Sequence, residues 1–323
     1  MKNFPKIFVG SLSLFVFAAS VYGIFNRQQI LDWLALRNYT PNQRVVTLAD
    51  HTTMKEDTRR VFYVYHPELN SKQDFRGKCP STEESIVLGC YVNTEGIFLL
   101  DVTDERLSGI IEVTAAHEVL HAHYDRLSSS ERKRIDKLTA ESFAQVTNER
   151  IKKTVEQYRA KDPSIVPNEL HSILATEVRN LSPELEEYYK KYFSNRAKIV
   201  EFSEKYEQTF VSLSNQVEQY DEELKSLKQQ IDSNQAEIEG LNKEIDSRRS
   251  QLDGMINSGN VNEYNEAVPG FNSFVNEYNS LIAETRRLID RYNSTVEERN
   301  AIATTEQELI EAINSNILPK RAE

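Results

Sequence analysis

Between Tyr206 and Met255 apolar residues return every three or four positions, and that period leaves few choices of fold. The a positions of a heptad, Phe210, Val217, Leu224, Ile231, Ile238, Ile245 and Leu252, are all apolar. The d positions Tyr206, Leu213, Tyr220, Leu227, Asn234, Leu241, Arg248 and Met255 are mostly apolar. A sustained 3.5-residue period predicts a coiled-coil seam, and polar Asn234 and Arg248 are the kind of exception that fixes register. Breakers follow at Gly254, Ser258-Gly259-Asn260 and Pro269-Gly270. A second, less apolar stripe then runs through Phe271, Phe274, Tyr278, Leu281, Leu288, Tyr292, Ile302, Leu309 and Ile313. Val-Asn-Glu-Tyr-Asn occurs at 261–265 and again at 275–279, a two-heptad repeat. Two such helices most simply form an antiparallel hairpin over residues 196–318, about 80 Å long at about 1.5 Å per residue. A parallel dimer is the alternative.

Charge separates this arm from the rest. The chain of 323 residues carries 50 acidic and 39 basic side chains, a net of −11, and residues 196–323 hold −10 of it. The balance excludes a basic nucleic-acid binder, and two cysteines exclude a disulfide-dense scaffold. The low hydrophobic share, 39%, then belongs mainly to an arm that buries a narrow seam, so a near-neutral domain at 29–195 keeps a proper core.

From Ile7 to Phe25 nineteen residues run without a charge, preceded by Lys2 and Lys6 and followed by Arg27. The run exceeds the usual length of a signal peptide's apolar region, which favours a retained transmembrane anchor within residues 1–28 over a cleaved signal. Either reading exports the rest of the chain, as a single-pass membrane protein with extracytoplasmic C-terminal domains or as a secreted one. Cys79 and Cys90 fit such a compartment as a disulfide closing a small loop, with two buried free thiols as the alternative.

Residues 26–44 read as a short juxtamembrane helix ending at Thr40-Pro41. Val45–Leu48, Val61–Tyr65, Ile86–Val92 and Ile97–Leu100 are short, β-branched or aromatic, and bounded by turn residues, which predicts a small sheet. Helical spacing starts with Thr103 or Asp104 as cap and runs to about Leu127. A capping box at Ser128–Glu131 opens a second helix, a third covers roughly 148–160, a fourth starts near Pro167, and Ser182-Pro183 opens a fifth that continues into the heptads. The fold class is α+β, with a few-stranded sheet and a long helical hairpin.

His117-Glu118-Val119-Leu120-His121 is an HExxH motif on the first of these helices. Side chains four apart share a helix face, so both imidazoles can reach one Zn²⁺ while Glu118 stands where it can take a proton from water. His123, two residues on, points elsewhere. At these residues the chain resembles the zincin metallopeptidases. Tyr124 and Leu127 stand where the metzincin branch has Gly and His, so the resemblance is to the gluzincin branch.

That resemblance implies a third zinc ligand from a later glutamate. Glu169, in Asn-Glu-Leu-His-Ser at 168–172, is the first candidate, because Leu170, Ile173, Leu174 and Val178 mark its helix as a core element. Glu177 and Glu141 are the alternatives. It implies further that zinc polarises the scissile carbonyl and that Glu118 is the general base. His171, Tyr124, Tyr188 and Tyr189 are able to stabilise the oxyanion, His171 first among them, and Ile97–Leu100 is the candidate edge strand for an extended peptide. The function expected is an exported, membrane-anchored zinc endopeptidase acting on a peptide or protein substrate, its coiled coil holding a protein partner, presenting substrate or spacing the domain from the membrane. The competing expectation is a cell-surface scaffold with an inactive zinc domain.

Overall fold

The computed structural model describes residues 20–79 and 86–316, and the chain divides into two compact units. One runs to Thr209 and takes up the chain again from Leu309; the other is Phe210–Glu308.

Helix dominates the first unit, with one three-stranded sheet. Its elements are α1 (Arg27–Leu36), α2 (Gln43–His51), α3 (Glu56–Val64), β1 (Glu68–Asn70), α4 (Lys72–Lys78), β2 (Gly89–Val92) and β3 (Gly96–Leu100). Then come α5 (Ile110–Asp125), α6 (Ser129–Phe143), α7 (Glu149–Lys161), α8 (Val166–Glu177), α9 (Pro183–Tyr189) and the start of α10 (Arg196–Asn257).

Two expected strands are helices. Val45–Leu48 lies in α2 and Val61–Tyr65 falls on α3 and its C-cap, Tyr65. Their buried residues, Val45, Leu48 and Ala49, then Thr58, Val61 and Phe62, recur at i, i+3 and i+4, so helical burial overrides the strand preference of valine. Asn42 begins α2 by accepting from the Val45 N–H at 3.0 Å.

The sheet order is β1-β3-β2. β3 pairs with β1 in parallel, Leu69 opposite Leu99, and with β2 antiparallel, Cys90 opposite Phe98. Ile97–Leu100 is therefore the central strand and cannot offer an open edge; β2 is an edge strand. Every residue of β3 is buried, which explains the unbroken apolar run Ile-Phe-Leu-Leu. The expected strand from Ile86 is shorter, beginning at Gly89. Cys79, at the end of α4, is bridged to Cys90 of β2, and both pack with Phe75, Phe98 and Leu100.

Asp104 caps only a 3-10 turn, Glu105–Leu107; α5 begins later, after Gly109. Gly109 has φ 103°, and a Cβ there would meet Phe202 of α10 at 3.0 Å. Ala115, Ala116, Val119, Leu120 and Ala122 of α5 are wholly buried against Leu170, Ile173, Leu174 and Ala175 of α8 in the main core. Small alanines on α5 let the two helices approach closely. Ser128 and Glu131 form the expected capping box of α6, and Ser182 caps α9.

The fifth helix does not run on into the heptads. α9 stops at Tyr189, and α10 starts afresh at Arg196, whose buried guanidinium donates to the carbonyls of Ala175 (3.1 Å), Val178 (2.7 Å) and Arg179 (2.7 Å). Those carbonyls end α8 and would otherwise be orphans. Leu309 and Ile313, from the last turns of α11 (Val261–Ile313), are buried in this unit, where Lys72 and Arg76 of α4 donate to the carbonyls of Glu311 and Ser315.

The second unit is the helical hairpin of α10 and α11. The heptad positions of both stripes are its less exposed residues, with Leu227, Ile231 and Leu252 buried. Arg291 pairs with Glu223 at 2.8 Å and Arg299 with Asp221 at 2.9 Å, so the partner number falls as the residue number rises, as antiparallel helices require. Arg248, polar in a d position, lies over the Phe274 ring at 4.5 Å. Thr285 and Thr295 fill gaps in the second stripe, their hydroxyls bonded to carbonyls one turn back. Gly254 and Pro269-Gly270 do not break helices; the turn is Ser258-Gly259-Asn260, where Gly259 has φ 78°.

Among the described residues no helix is long and apolar enough to cross a membrane. Most of the uncharged run, residues 7–19, lies outside the described residues.

Candidate metal centre

His117 and His121 project from one face of α5, their rings 4.7 Å apart between centroids and nearly perpendicular. The Glu169 carboxylate of α8 faces both: His117 Nε2 is 3.5 Å from Oε2 and His121 Nε2 is 3.7 Å from Oε1. Three ligand atoms, one from each residue, lie within 4.8 Å of one another. Donors around a tetrahedral Zn²⁺ with bonds of about 2.0–2.1 Å stand about 3.3 Å apart, so a small closure would suit the ion.

Two further observations fit a cation here. Glu169 Oε2 is buried without a hydrogen-bond partner, and His121 Nδ1 is bonded to Asn168 Oδ1 at 2.9 Å. An amide oxygen accepts, so it holds the proton on Nδ1 and leaves the Nε2 lone pair free toward Glu169. Ser172 Oγ lies 3.4 Å from the same Nδ1. Burial pushes the Glu169 carboxyl up, but His117 and His121 outweigh it and hold the group below its ordinary range.

Glu118 is 5% exposed and turned to the other side of the cleft, toward β2. Its carboxyl is pushed up to about 7, chiefly by burial and then by the neighbouring Glu169; His121 and a hydrogen bond from the Tyr91 backbone oppose the rise. Gly89 makes that approach possible. A Cβ at position 89 would lie 2.5 Å from Thr114 Cγ2 and 2.7 Å from Glu118 Oε1.

A cavity of about 430 Å³ opens over these groups, bordered by β2, by His117, Glu118, His121 and Glu169, and by Tyr158 of α7. Tyr158 lines the cavity with Glu169, and burial first, then the charges of Glu169 and Glu118, raise its phenol so far that it stays protonated as a donor.

The other glutamates weighed as ligands lie elsewhere. Glu177 pairs with Arg150 at 2.7 Å, and Glu141 is exposed on α6 with Lys137 at 3.8 Å. None of His171, Tyr124, Tyr188 and Tyr189 lines the cavity. His171 is wholly buried, its Nε2 paired with the Tyr188 hydroxyl at 2.9 Å while the Tyr189 hydroxyl donates to its carbonyl at 2.8 Å. Tyr124 donates to Asp136 at 2.6 Å. His123 packs on Tyr192, and burial, reinforced by Arg126, lowers it to about 3.

Sequence reasoning missed Asn168, Ser172, Tyr158 and Gly89. Tyr158 continues the buried series Ile151 and Val155 of α7, a pattern that would place its ring inside. Asn168 precedes Glu169 and carries a helix-opening signal that hides its second use. Nothing in the sequence marks Gly89.

No protein family model, curated protein or solved structure matches the chain.

Proposed function

We propose that the chain is an exported, membrane-anchored zinc endopeptidase of zincin type. The observation that carries this reading is the convergence of His117, His121 and Glu169 beside the buried Glu118 in one open cleft. The two histidines and Glu169 would hold the ion, which supplies Lewis acidity toward a peptide carbonyl and toward water. Glu118 takes the proton from the attacking water and returns it to the leaving amine. Burial favours the protonated form that Glu118 passes through between the two halves of that exchange.

Tyr158, rather than His171, is the donor suited to the carbonyl oxygen as it gains charge. An extended peptide would add to the open edge of β2, antiparallel to it or parallel, which brings its backbone past Glu118. Two-histidine, one-carboxylate sets also serve iron, but a buried base in the cleft favours hydrolysis. The disulfide and the uncharged run at 7–25 support export and anchoring in the cell membrane. The acidic hairpin is suited to a protein partner, and a surface scaffold with an inactive centre is the competing reading.

The test is metal-dependent cleavage of a peptide library by the full chain beside Glu118→Ala and Glu169→Ala. Expected are one zinc per chain and cleavage in the parent, zinc without cleavage in Glu118→Ala, and weakened zinc binding in Glu169→Ala. Zinc binding without cleavage in the parent overturns the enzyme reading.

A further inference from the structure

α1 is packed with its charge inward. Its one buried residue is Asp32, whose carboxylate accepts two hydrogen bonds from the Arg126 guanidinium, each 3.0 Å, and one from Gln28 at 2.9 Å. Arg126 follows α5 directly and also lies over the Tyr65 ring. The apolar side chains Ile30, Leu31, Trp33 and Leu34 face the other way, between 39% and 59% exposed. At about 100° per residue, positions 30, 31 and 34 fall within about 100° of arc and Trp33 flanks them. A surface helix of a water-soluble domain has the opposite arrangement.

We infer that this face of α1 rests on a lipid bilayer, the helix lying along the membrane in the zone between headgroups and acyl chains. The inference rests on the anchoring role proposed for residues 7–25 and adds a second contact to it. That uncharged run leads straight into α1, and a membrane that takes the run has α1 at its surface. Ten residues at about 1.5 Å each are far too short to span. Exposed Arg27 and Arg37 stand at the two ends of the helix, where lipid phosphates would meet them, and tryptophan is at home in that zone. A second copy fits less well, since antiparallel docking of the same face sets Arg27 against Arg37. Because Asp32 holds Arg126, a membrane-bound α1 also ties the end of the histidine-bearing helix to the bilayer, which favours substrate segments close to the lipid surface.

Trp33 is the only tryptophan of the chain and reports on this face directly. The full chain is reconstituted with phosphatidylcholine–phosphatidylglycerol vesicles carrying bromine near the headgroup end or near the chain end of the lipid. Expected are flotation with the vesicles, blue-shifted Trp33 emission, stronger quenching by shallow than by deep bromine, and little quenching by aqueous acrylamide. Leu31→Glu with Leu34→Glu, both at exposed positions, should keep flotation and return Trp33 to acrylamide. Flotation with Trp33 open to acrylamide overturns the placement of α1 alone. Flotation with Trp33 shielded from both quenchers overturns it too, in favour of a protein cover. Failure to float overturns the anchor and this contact together.

Discussion

Gly89 lies so close to Glu118 that a single added carbon would stand 2.7 Å from the carboxylate. Here β2 contributes no side chain, and the Thr114 and Glu118 side chains of α5 pack against its backbone. Gly89→Ala must push β2 away or turn Glu118 aside. The expected outcome is a loss of kcat of about 100-fold or more with zinc stoichiometry unchanged, since the histidines lie on the other face of the cleft. Steady-state kinetics beside metal analysis checks it; a variant with parental kcat would mean that Glu118 needs no support from β2.

Asn168 governs how His121 presents its Nε2. Asn168→Leu keeps the branched shape and removes the acceptor, and zinc affinity should drop by about 10–100-fold, the usual effect of losing such a partner. Asn168→Asp should keep or tighten binding. Competition with a chromophoric chelator measures both, and equal affinity in the leucine variant would show that the amide does not orient the ring.

Arg196 fastens α10 to the end of α8, and its side chain is only 6% exposed. Arg196→Met preserves much of the stem but strands three carbonyls and Glu186. A loss of roughly 3 kcal/mol is expected, readable as a lower urea midpoint. Because α8 carries Glu169, bound zinc should recover part of that loss, and a variant that zinc does not stabilise would break the proposed link.

Glu207 provides a pH test at the root of α10. Burial pushes its carboxyl up, but hydrogen bonds from Arg150 at 3.1 Å and Asn148 at 3.0 Å outweigh burial and hold it below the ordinary range. A folded-state value below the unfolded one gives stability that is present above about pH 4.3 and lost as the pH falls through the folded value. Glu207→Gln should cost about 1 kcal/mol or less at neutral pH and nothing once the pH is below both values. Parallel stability curves for the two proteins across that range would contradict the assignment.

The parts of the molecule set by a period were legible in advance. The seam residues of the hairpin, the shared face of His117 and His121, and the core helix of Glu169 all follow from spacing along one element. What was not legible depends on partners far away in the chain. Val45 and Val61 prefer strands by themselves and are helical because each belongs to a buried i, i+3, i+4 set, Val45, Leu48 and Ala49 in one helix and Thr58, Val61 and Phe62 in the other. Which strand lies at the edge is set by pairing, so the apolar Ile97–Leu100 suggested an edge although it is the centre. His171 looked available beside Glu169, but its own position on α8 turns it into the core, and Tyr158 from another helix reaches the cleft instead.

The first unit closes on residues that come after the hairpin in the chain. Lys72 meets the carbonyl of Glu311 across 239 positions of sequence, and Leu309 is wholly buried in that unit. During synthesis the domain that carries His117, His121 and Glu169 therefore waits, incomplete, until the whole hairpin has been made and residues 309–316 have followed it. Contacts so distant in sequence form slowly, whereas the hairpin's own seam is local and can form first. A chain stopped near residue 308 would carry a finished arm on a domain whose α4 still lacks the partners of Lys72 and Arg76.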